Sequence, residues 1–473
     1  MLFCSNIFLF LFLPVALALY YIVPQRYVTC RNAMLVIASL AFYAWGELYN
    51  VILLLATCLA NYVIGFWLPK VGRAKLLLAL GVALNLSTLF YYKYAGWSLG
   101  MLSNIAPFAS QFTPPMLPLG ISFFTFHAIS YLMDIYRKDI KPARGIWDFA
   151  CYFVMFPHLI AGPIVRFSHV AADLMKRENN LELFYEGLRR FVIGLAKKML
   201  IANQVALIAD IVFSLPASEL GMWSAWLGAF SYTLQIYFDF SAYSDMAIGL
   251  AAMFGLRFHE NFMQPYSAVS MQDFWRRWHI SLSSWLRDYL YIPLGGSRAG
   301  TWRTYINLLL VFFLCGLWHG ASWTFAVWGL YNGIFLIMER FKPVQNLLKR
   351  AGAFSHVYVI LAFVCGWVIF RSGSMQQAAV FLKAMFVPSG NDTPVRLVYN
   401  LSNVFWVSFA AGIIGASGVP ARLWHRWNSR LSAGTKSSIA WDWGNLAAGA
   451  IMLALSVMSL VAGSYNPFIY FRF

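Results

Sequence analysis

Long uncharged apolar runs constrain this chain more than any other feature. Residues 7–23, 51–68, 305–317, 323–338 and 444–464 contain no Lys, Arg, Asp or Glu. Crossing a bilayer takes about 20 helical residues, so these runs are of spanning or near-spanning length. Hydrocarbon offers no hydrogen bonds, so only helices and closed barrels satisfy their backbone there. Barrel strands alternate apolar with polar residues, and these runs do not. The expectation is an all-α polytopic transmembrane bundle, with about 10–12 spans plus re-entrant or interfacial helices.

Composition agrees. Of 473 residues 60% are hydrophobic and 11% charged, against about 25% charged in soluble domains. Too few charges remain to hydrate a water-facing surface. The formal charge is +17, which on a soluble protein would point to nucleic acid. Here Lys and Arg cluster in short loops between apolar runs, which is a topology signal, so nucleic-acid binding is not expected. Cys4, Cys30, Cys58, Cys151, Cys315 and Cys365 form no C-x-x-C pair and read as free thiols. No Lys or Arg precedes Arg26. The first apolar run therefore lacks the basic flank of a signal peptide and reads as a retained span.

The basic loops set the sides. Arg26 and Arg31 place the N-terminus outside, and Lys70, Arg73, Lys75, Arg137, Lys138, Lys141 and Arg144 continue the alternation inside. The alternation fails at residues 148–165, which have basic flanks at both ends. This segment holds Phe156-Pro157-His158 and Gly162-Pro163, so a broken or re-entrant helix fits better than a crossing. Such backbone at membrane depth needs protein or a cavity around it, which makes the segment a candidate cavity wall. Arg422, Arg426, Arg430 and Lys436 precede the last run and place the C-terminus outside as well. The polar stretch near 385–397 reads as an outside loop.

The chemistry is concentrated in residues 271–333. Phe274, Trp278, Trp285 and Tyr289 recur near helical spacing, beside Arg276, Arg277, Arg287 and Asp288. Trp, Tyr and Arg in this mixture fit a helix lying at the cytoplasmic interface. A plain amphipathic surface helix would have no need of His279. Further on, His319 is the sole ionisable group of its kind between Arg303 and Glu339, where no Lys, Arg, Asp or Glu occurs. An ionisable side chain at such depth is a functional hypothesis by default, and imidazole can take and return a proton near neutral pH. A structural interhelical hydrogen bond is the competing reading. Gly316 and Gly320 permit close approach of backbone or substrate.

Asp239 and Asp245 interrupt the apolar run 225–255, and with His158 they are candidate cavity-lining groups. Asp134 reads as a helix-end residue and His127 as a packed core residue. The histidines lack H-x-x-x-H or H-E-x-x-H spacing, so no metal is expected. There is no P-loop, no dinucleotide fingerprint and no G-x-S-x-G elbow.

These residues resemble a family. Trp275-Arg276-Arg277-Trp278-His279, Trp285-Leu286-Arg287-Asp288-Tyr289, Leu294-Gly295-Gly296 and Leu317-Trp318-His319-Gly320 are similar to the membrane-bound O-acyltransferases. More closely, they resemble the bacterial branch that holds the membrane subunit of alginate O-acetyltransferase. The likeness extends to Gly120-Ile121-Ser122-Phe123, Phe156-Pro157-His158-Leu159, Tyr237-Phe238-Asp239-Phe240-Ser241 and Tyr243-Ser244-Asp245-Met246. Ser297, His127 and Ala242 depart from the usual pattern. Neither key histidine is affected.

The resemblance implies one membrane domain over residues 1–473, with helices around a funnel-shaped core and 271–333 as its catalytic region. It maps the family's invariant histidine onto His319 and the second histidine of the branch onto His279. It implies acetyl-CoA as a cytoplasmic donor substrate with no bound cofactor. Arg276, Arg277, Arg287, Trp278 and Trp318 would then be donor-binding. It further implies a bacterial inner-membrane location, a periplasmic acetyltransferase or acceptor protein as partner, and an exported polysaccharide reached indirectly. Alginate and cellulose are equal candidates for that polymer. D-alanyl or peptidoglycan acyl transfer is the alternative enzyme reading, and a transporter of lipid-linked sugar is the non-enzymatic one.

Overall fold

The structure, a computed structural model, describes residues 1–103, 112–298, 300–388, 394–431, 435–463 and 465–467. The described residues form helices and no strand. Among the described residues, seven helical segments are long and apolar enough to cross a membrane: Val28–Glu47, Asn50–Trp67, Ala74–Leu102, Leu181–Phe213, Thr301–His319, Phe354–Arg371 and Trp443–Val461. Phe8–Ile22, Trp323–Met338 and Asn403–Ala416 are shorter apolar helices. Ile37, Ile52, Leu59, Leu80 and Ile451 project outward, as side chains do when the surrounding solvent is lipid. The expected loop near 385–397 lies partly outside the described residues.

The chain divides into two compact units. The first comprises Met1–Phe191 and Ser244–Glu260; the second comprises Val192–Tyr243 and Asn261–Phe473.

In the first unit, α1 (Ile121–Arg137) is buried along nearly its whole length. Gly120 starts it at φ +78°, where a Cβ would lie 2.4 Å from the Leu159 carbonyl oxygen, so only glycine fits. The expected broken helix is present. α2 (Ile146–Val154) stops at Met155, whose ψ of 122° is not helical, and a single turn Phe156–Leu159 follows. Pro157 is tolerated because it sits at the start of that turn, where its missing N–H would have no helical acceptor. The Phe156 N–H instead donates to Ser39 Oγ at 3.0 Å.

α3 (Met222–Met253) corresponds to the apolar run 225–255. It is not among the seven apolar segments. Ser231, Thr233, Gln235, Asp239, Ser241, Ser244 and Asp245 along it are all buried, so its polar side chains face protein.

In the second unit, α4 (Met271–Arg277) and α5 (Ile280–Leu286) replace the single interfacial helix expected to carry Phe274, Trp278, Trp285 and Tyr289. The break falls at His279, whose φ of +45° is left-handed. The aromatics are also not on a surface: Phe274, Trp278, Trp285 and Tyr289 are all buried. The near-helical spacing arose because two short helices each present aromatics inward. Ser270 caps α4 by accepting from the Asp273 N–H at 3.0 Å.

α6 (Thr301–His319) and α7 (Trp323–Met338) form a tight hairpin. A Cβ at Gly316 would lie 2.1 Å from the Phe325 carbonyl oxygen, and one at Gly329 would lie 2.2 Å from that of Phe312. Between apolar helices in lipid, hydrophobic transfer supplies little drive, so close backbone contact through small residues takes its place. α8 (Phe354–Arg371) packs alongside through rings, with Trp328 and Trp367 at 5.8 Å between centroids.

Candidate active site

His279 is wholly buried in the second unit. Its Nδ1 lies 3.2 Å from Asn261 Oδ1, and its Nε2 is buried with no hydrogen-bond partner. The ring of Phe240, from α3, meets it edge-on at 4.6 Å, and Phe262 stacks at 6.4 Å. Burial, and then the neighbouring His319, hold this imidazole well below the usual histidine value. It is neutral at physiological pH.

His319 ends α6 and is also buried. Trp328 and Phe370 each approach its ring edge-to-face at 5.2 Å. Trp318 touches both histidines, with centroids 4.9 Å from His319 and 6.1 Å from His279. A second aromatic path closes the circuit. It runs from His319 to Trp328, then to Trp367 at 5.8 Å, Trp278 at 4.8 Å, Phe262 at 5.1 Å and back to His279. The two imidazoles thus share an aromatic enclosure, and apolar surroundings of this kind strengthen any electrostatic contact made inside.

α4 and α5 carry His279 to this place. The Ile280 N–H donates to the Asn261 carbonyl at 2.9 Å, and the Met263 N–H donates to the Arg277 carbonyl at 2.9 Å. These bonds clasp the left-handed residue to the preceding segment. Trp275 Nε1 donates to Asn332 Oδ1 of α7 at 3.3 Å, tying α4 to the hairpin that carries His319.

The remaining expected site residues divide. Trp278 and Trp318 belong to the enclosure. Arg277 pairs with Asp273 at 2.9 Å and Arg287 with Asp288 at 2.6 Å, while Arg276 is exposed. Asp239 forms a buried ion pair with Lys198 at 2.7 Å, and the same ammonium donates to the Pro467 carbonyl. Asp245 and His158 lie in the first unit. Asp245 accepts from Arg190 at 2.7 Å, and that guanidinium also holds Glu260 through contacts of 2.9 and 2.5 Å. His158 Nε2 donates to the Tyr152 carbonyl at 2.8 Å, and its ring lies 4.8 Å from that of His127. Among the described residues no cluster of three or more His, Cys, Asp or Glu is placed to hold a metal ion.

Sequence reasoning missed Asn261, Lys198, Trp328 and Trp367. Trp328 and Trp367 are ordinary members of apolar runs, and nothing marks them in one sequence. Asn261 and Lys198 act on residues 18 and 41 positions away (279 − 261 and 239 − 198), and no local pattern records such pairing.

The model of the membrane-bound O-acyltransferase family matches residues 143–371. Over 493 aligned residues the chain is 42% identical to the probable alginate O-acetylase AlgI of Pseudomonas putida, with both proteins covered completely. It is 47% identical to the probable alginate O-acetylase AlgI of Pseudomonas aeruginosa over 82% of this chain and 75% of that protein. It is 37% identical to the peptidoglycan O-acetyltransferase of Helicobacter pylori over 81% of this chain and 80% of that one. With a buried two-histidine site inside the matched region and end-to-end likeness of this degree, the chain belongs to the membrane-bound O-acyltransferase family, in its alginate O-acetylase branch, and is an O-acyltransferase.

Proposed function

We propose that this protein takes acetyl from cytoplasmic acetyl-CoA and passes it through the inner membrane for O-acetylation of an exported polysaccharide, with alginate as the favoured acceptor. The observation that carries the reading is the shared aromatic enclosure of His279 and His319, in a chain matched end to end by probable alginate O-acetylases. The likeness to a peptidoglycan O-acetyltransferase keeps peptidoglycan as the second acceptor class.

The chemistry follows from the groups present. His319 removes the proton from the incoming hydroxyl, whose oxygen attacks the thioester carbonyl carbon. The tetrahedral oxyanion collapses, the C–S bond breaks, and the thiolate of CoA leaves with the proton returned from His319. His279, neutral and with a bare ring nitrogen, polarises or orients the reacting groups. Exclusion of water by the tryptophans protects the thioester from hydrolysis. Arg276, exposed on α4, and Arg277 and Arg287, each already held by a carboxylate, are donor-phosphate candidates. The basic loops support an orientation with both termini periplasmic. A periplasmic acetyltransferase or acceptor protein would receive the acetyl group.

The test is the O-acetyl content of surface polysaccharides in cells lacking the native gene, complemented with wild type or His319→Ala at equal membrane level. Loss of acetyl in the variant supports the reading, and the polymer that loses it names the acceptor. Unchanged acetyl would make His319 structural and overturn the mechanism.

A further inference from the structure

We infer that Asn261 is a positioning residue for acyl transfer: its side-chain oxygen holds the His279 proton on Nδ1 and so leaves the Nε2 lone pair as the atom that meets the reacting group. The inference rests on the reading of His279 given above.

The direction of the bond is fixed by a group that cannot reverse. Asn261 Oδ1 accepts from the Ser281 backbone N–H at 3.1 Å, and a backbone N–H only donates. The atom facing Ser281 is therefore the amide oxygen rather than its nitrogen. The same oxygen accepts from Ser281 Oγ at 2.9 Å and lies 3.2 Å from His279 Nδ1. An oxygen can only accept there, so Nδ1 is the donor; Ser281 Oγ, 3.4 Å from Nδ1, gives its one proton to Asn261 and faces the ring as a second acceptor. A neutral imidazole carries one N–H, which leaves Nε2 unprotonated. Nε2 is also the buried ring atom without a partner. A buried lone pair left without a donor is costly, and the aromatic enclosure is where a substrate group would supply one.

Asn261 also holds the backbone that aims the ring. Its carbonyl accepts the Ile280 N–H at 2.9 Å, directly after the left-handed His279. A non-glycine residue in that conformation is strained, and such strain persists where the surroundings over-determine it. One residue thus fixes the tautomer, the ring plane and the strained turn.

His319 on α6 is the titratable group acting on the His279 ring. Asp239 on α3 is paired with Lys198, and Arg277 on α4 with Asp273. Phe240, Phe262 and Trp318 supply rings.

The test measures acetyl transfer from radiolabelled acetyl-CoA in membranes, as a function of pH, for wild type, Asn261→Asp, Asn261→Leu and His279→Ala. Folding is checked by a monodisperse detergent-solubilised peak. Asn261→Leu should lose about 100-fold or more in rate, since nothing then fixes the tautomer. Asn261→Asp should recover part of that loss at high pH, because a carboxylate still accepts from Nδ1. Its negative charge also favours imidazolium, so the acid limb should move up by about one pH unit or more. An Asn261→Asp profile with the wild-type limb, or Asn261→Leu at the wild-type rate, overturns the inference. If Asn261→Leu fails to fold, the position of the Asp limb decides alone. His279→Ala at the wild-type rate would instead sink the parent reading. A slow His279→Ala beside an unshifted Asn261→Asp sinks only the role of Asn261.

Discussion

Glu339 closes the start of α4, 68 residues before it in sequence: its Oε1 accepts from the Met271 N–H at 2.6 Å. Its Oε2 accepts from the Gln272 N–H at 2.8 Å, and Tyr358 adds a hydroxyl at 3.2 Å. A carboxylate at a helix start satisfies amides that have no helical acceptor and suits the positive end of the helix dipole. Burial nevertheless raises this carboxyl above its ordinary value, against the opposing pull of Gln272, Met271 and Tyr358. For an acid whose folded value is raised, the linked stability is greatest below the ordinary value and declines as pH rises through the folded one. Glu339→Ala should cost about 1–3 kcal/mol, the price of leaving buried amides unpaired. Glu339→Gln should cost less, because its amide oxygen keeps one acceptor and the buried charge is gone. Thermal unfolding in detergent measures both, and a Gln variant less stable than the Ala variant would refute the account.

His319→Ala should lower acetyl transfer by about 10²–10⁴-fold, the usual worth of a positioned general base. The solubilised variant should remain a monodisperse peak in detergent, which separates a lost base from a lost fold. Trp367→Leu should act differently: it opens the aromatic path between Trp328 and Trp278 and should raise thioester hydrolysis relative to transfer. Release of CoA measured against acetylated product separates the two effects.

The α6–α7 hairpin offers an internal comparison. At Gly316 a Cβ would lie 2.1 Å from backbone, which cannot swing aside. At Gly333 the nearest atom is Leu309 Cδ2 at 3.2 Å, the far end of a flexible side chain. Gly316→Ala should therefore lower the unfolding temperature and the rate together, by parting the helices that place His319. Gly333→Ala should change both only slightly. Equal effects at the two positions would remove close packing as the reason for Gly316.

The buried Lys198–Asp239 pair should behave as an obligatory couple. Removing one partner strands a charge with almost no exposure to solvent, at a cost of about 3–5 kcal/mol. Lys198→Met and Asp239→Leu should each destabilise strongly, and the double variant should recover much of the loss. Additive losses in the double variant would contradict the pairing.

How far the sequence reached is clearest from particular residues. The apolar runs, the break at Phe156-Pro157 and the burial of His319 were legible, because solvation in lipid acts on local composition. His319 stood out through the cost of placing imidazole among uncharged residues. His279 was visible as a residue, but its setting was not. Phe274, Trp278, Trp285 and Tyr289 satisfied a helical period, and only the structure reveals the left-handed break at His279 that turns them inward. Asp239 and Asp245 looked alike along one run. They prove to be partners of Lys198 and Arg190 in different units. Pairing across the chain leaves no periodic trace, so a single sequence does not carry it.

The depressed His279 value also sets a pH dependence of stability. A histidine held below its ordinary value of about 6.5 contributes stability that is present above that pH. The contribution is lost as pH falls from there towards the folded value, at up to ~1.4 kcal/mol per pH unit. His169, pushed down to about 4 by burial, then by His259 and Arg166, acts in the same direction. A wild-type unfolding temperature that falls between pH 6.5 and 5 therefore does not assign the effect. The difference between wild type and His279→Gln does, since both retain His169. The wild type should lose more stability than the variant over that interval, and the difference between them should become constant above pH 7. A difference independent of pH would mean that His279 titrates alike in the folded and unfolded states, and a wild type that gains on the variant as pH falls would mean that His279 is charged in the fold and offers no bare Nε2 to the reacting groups.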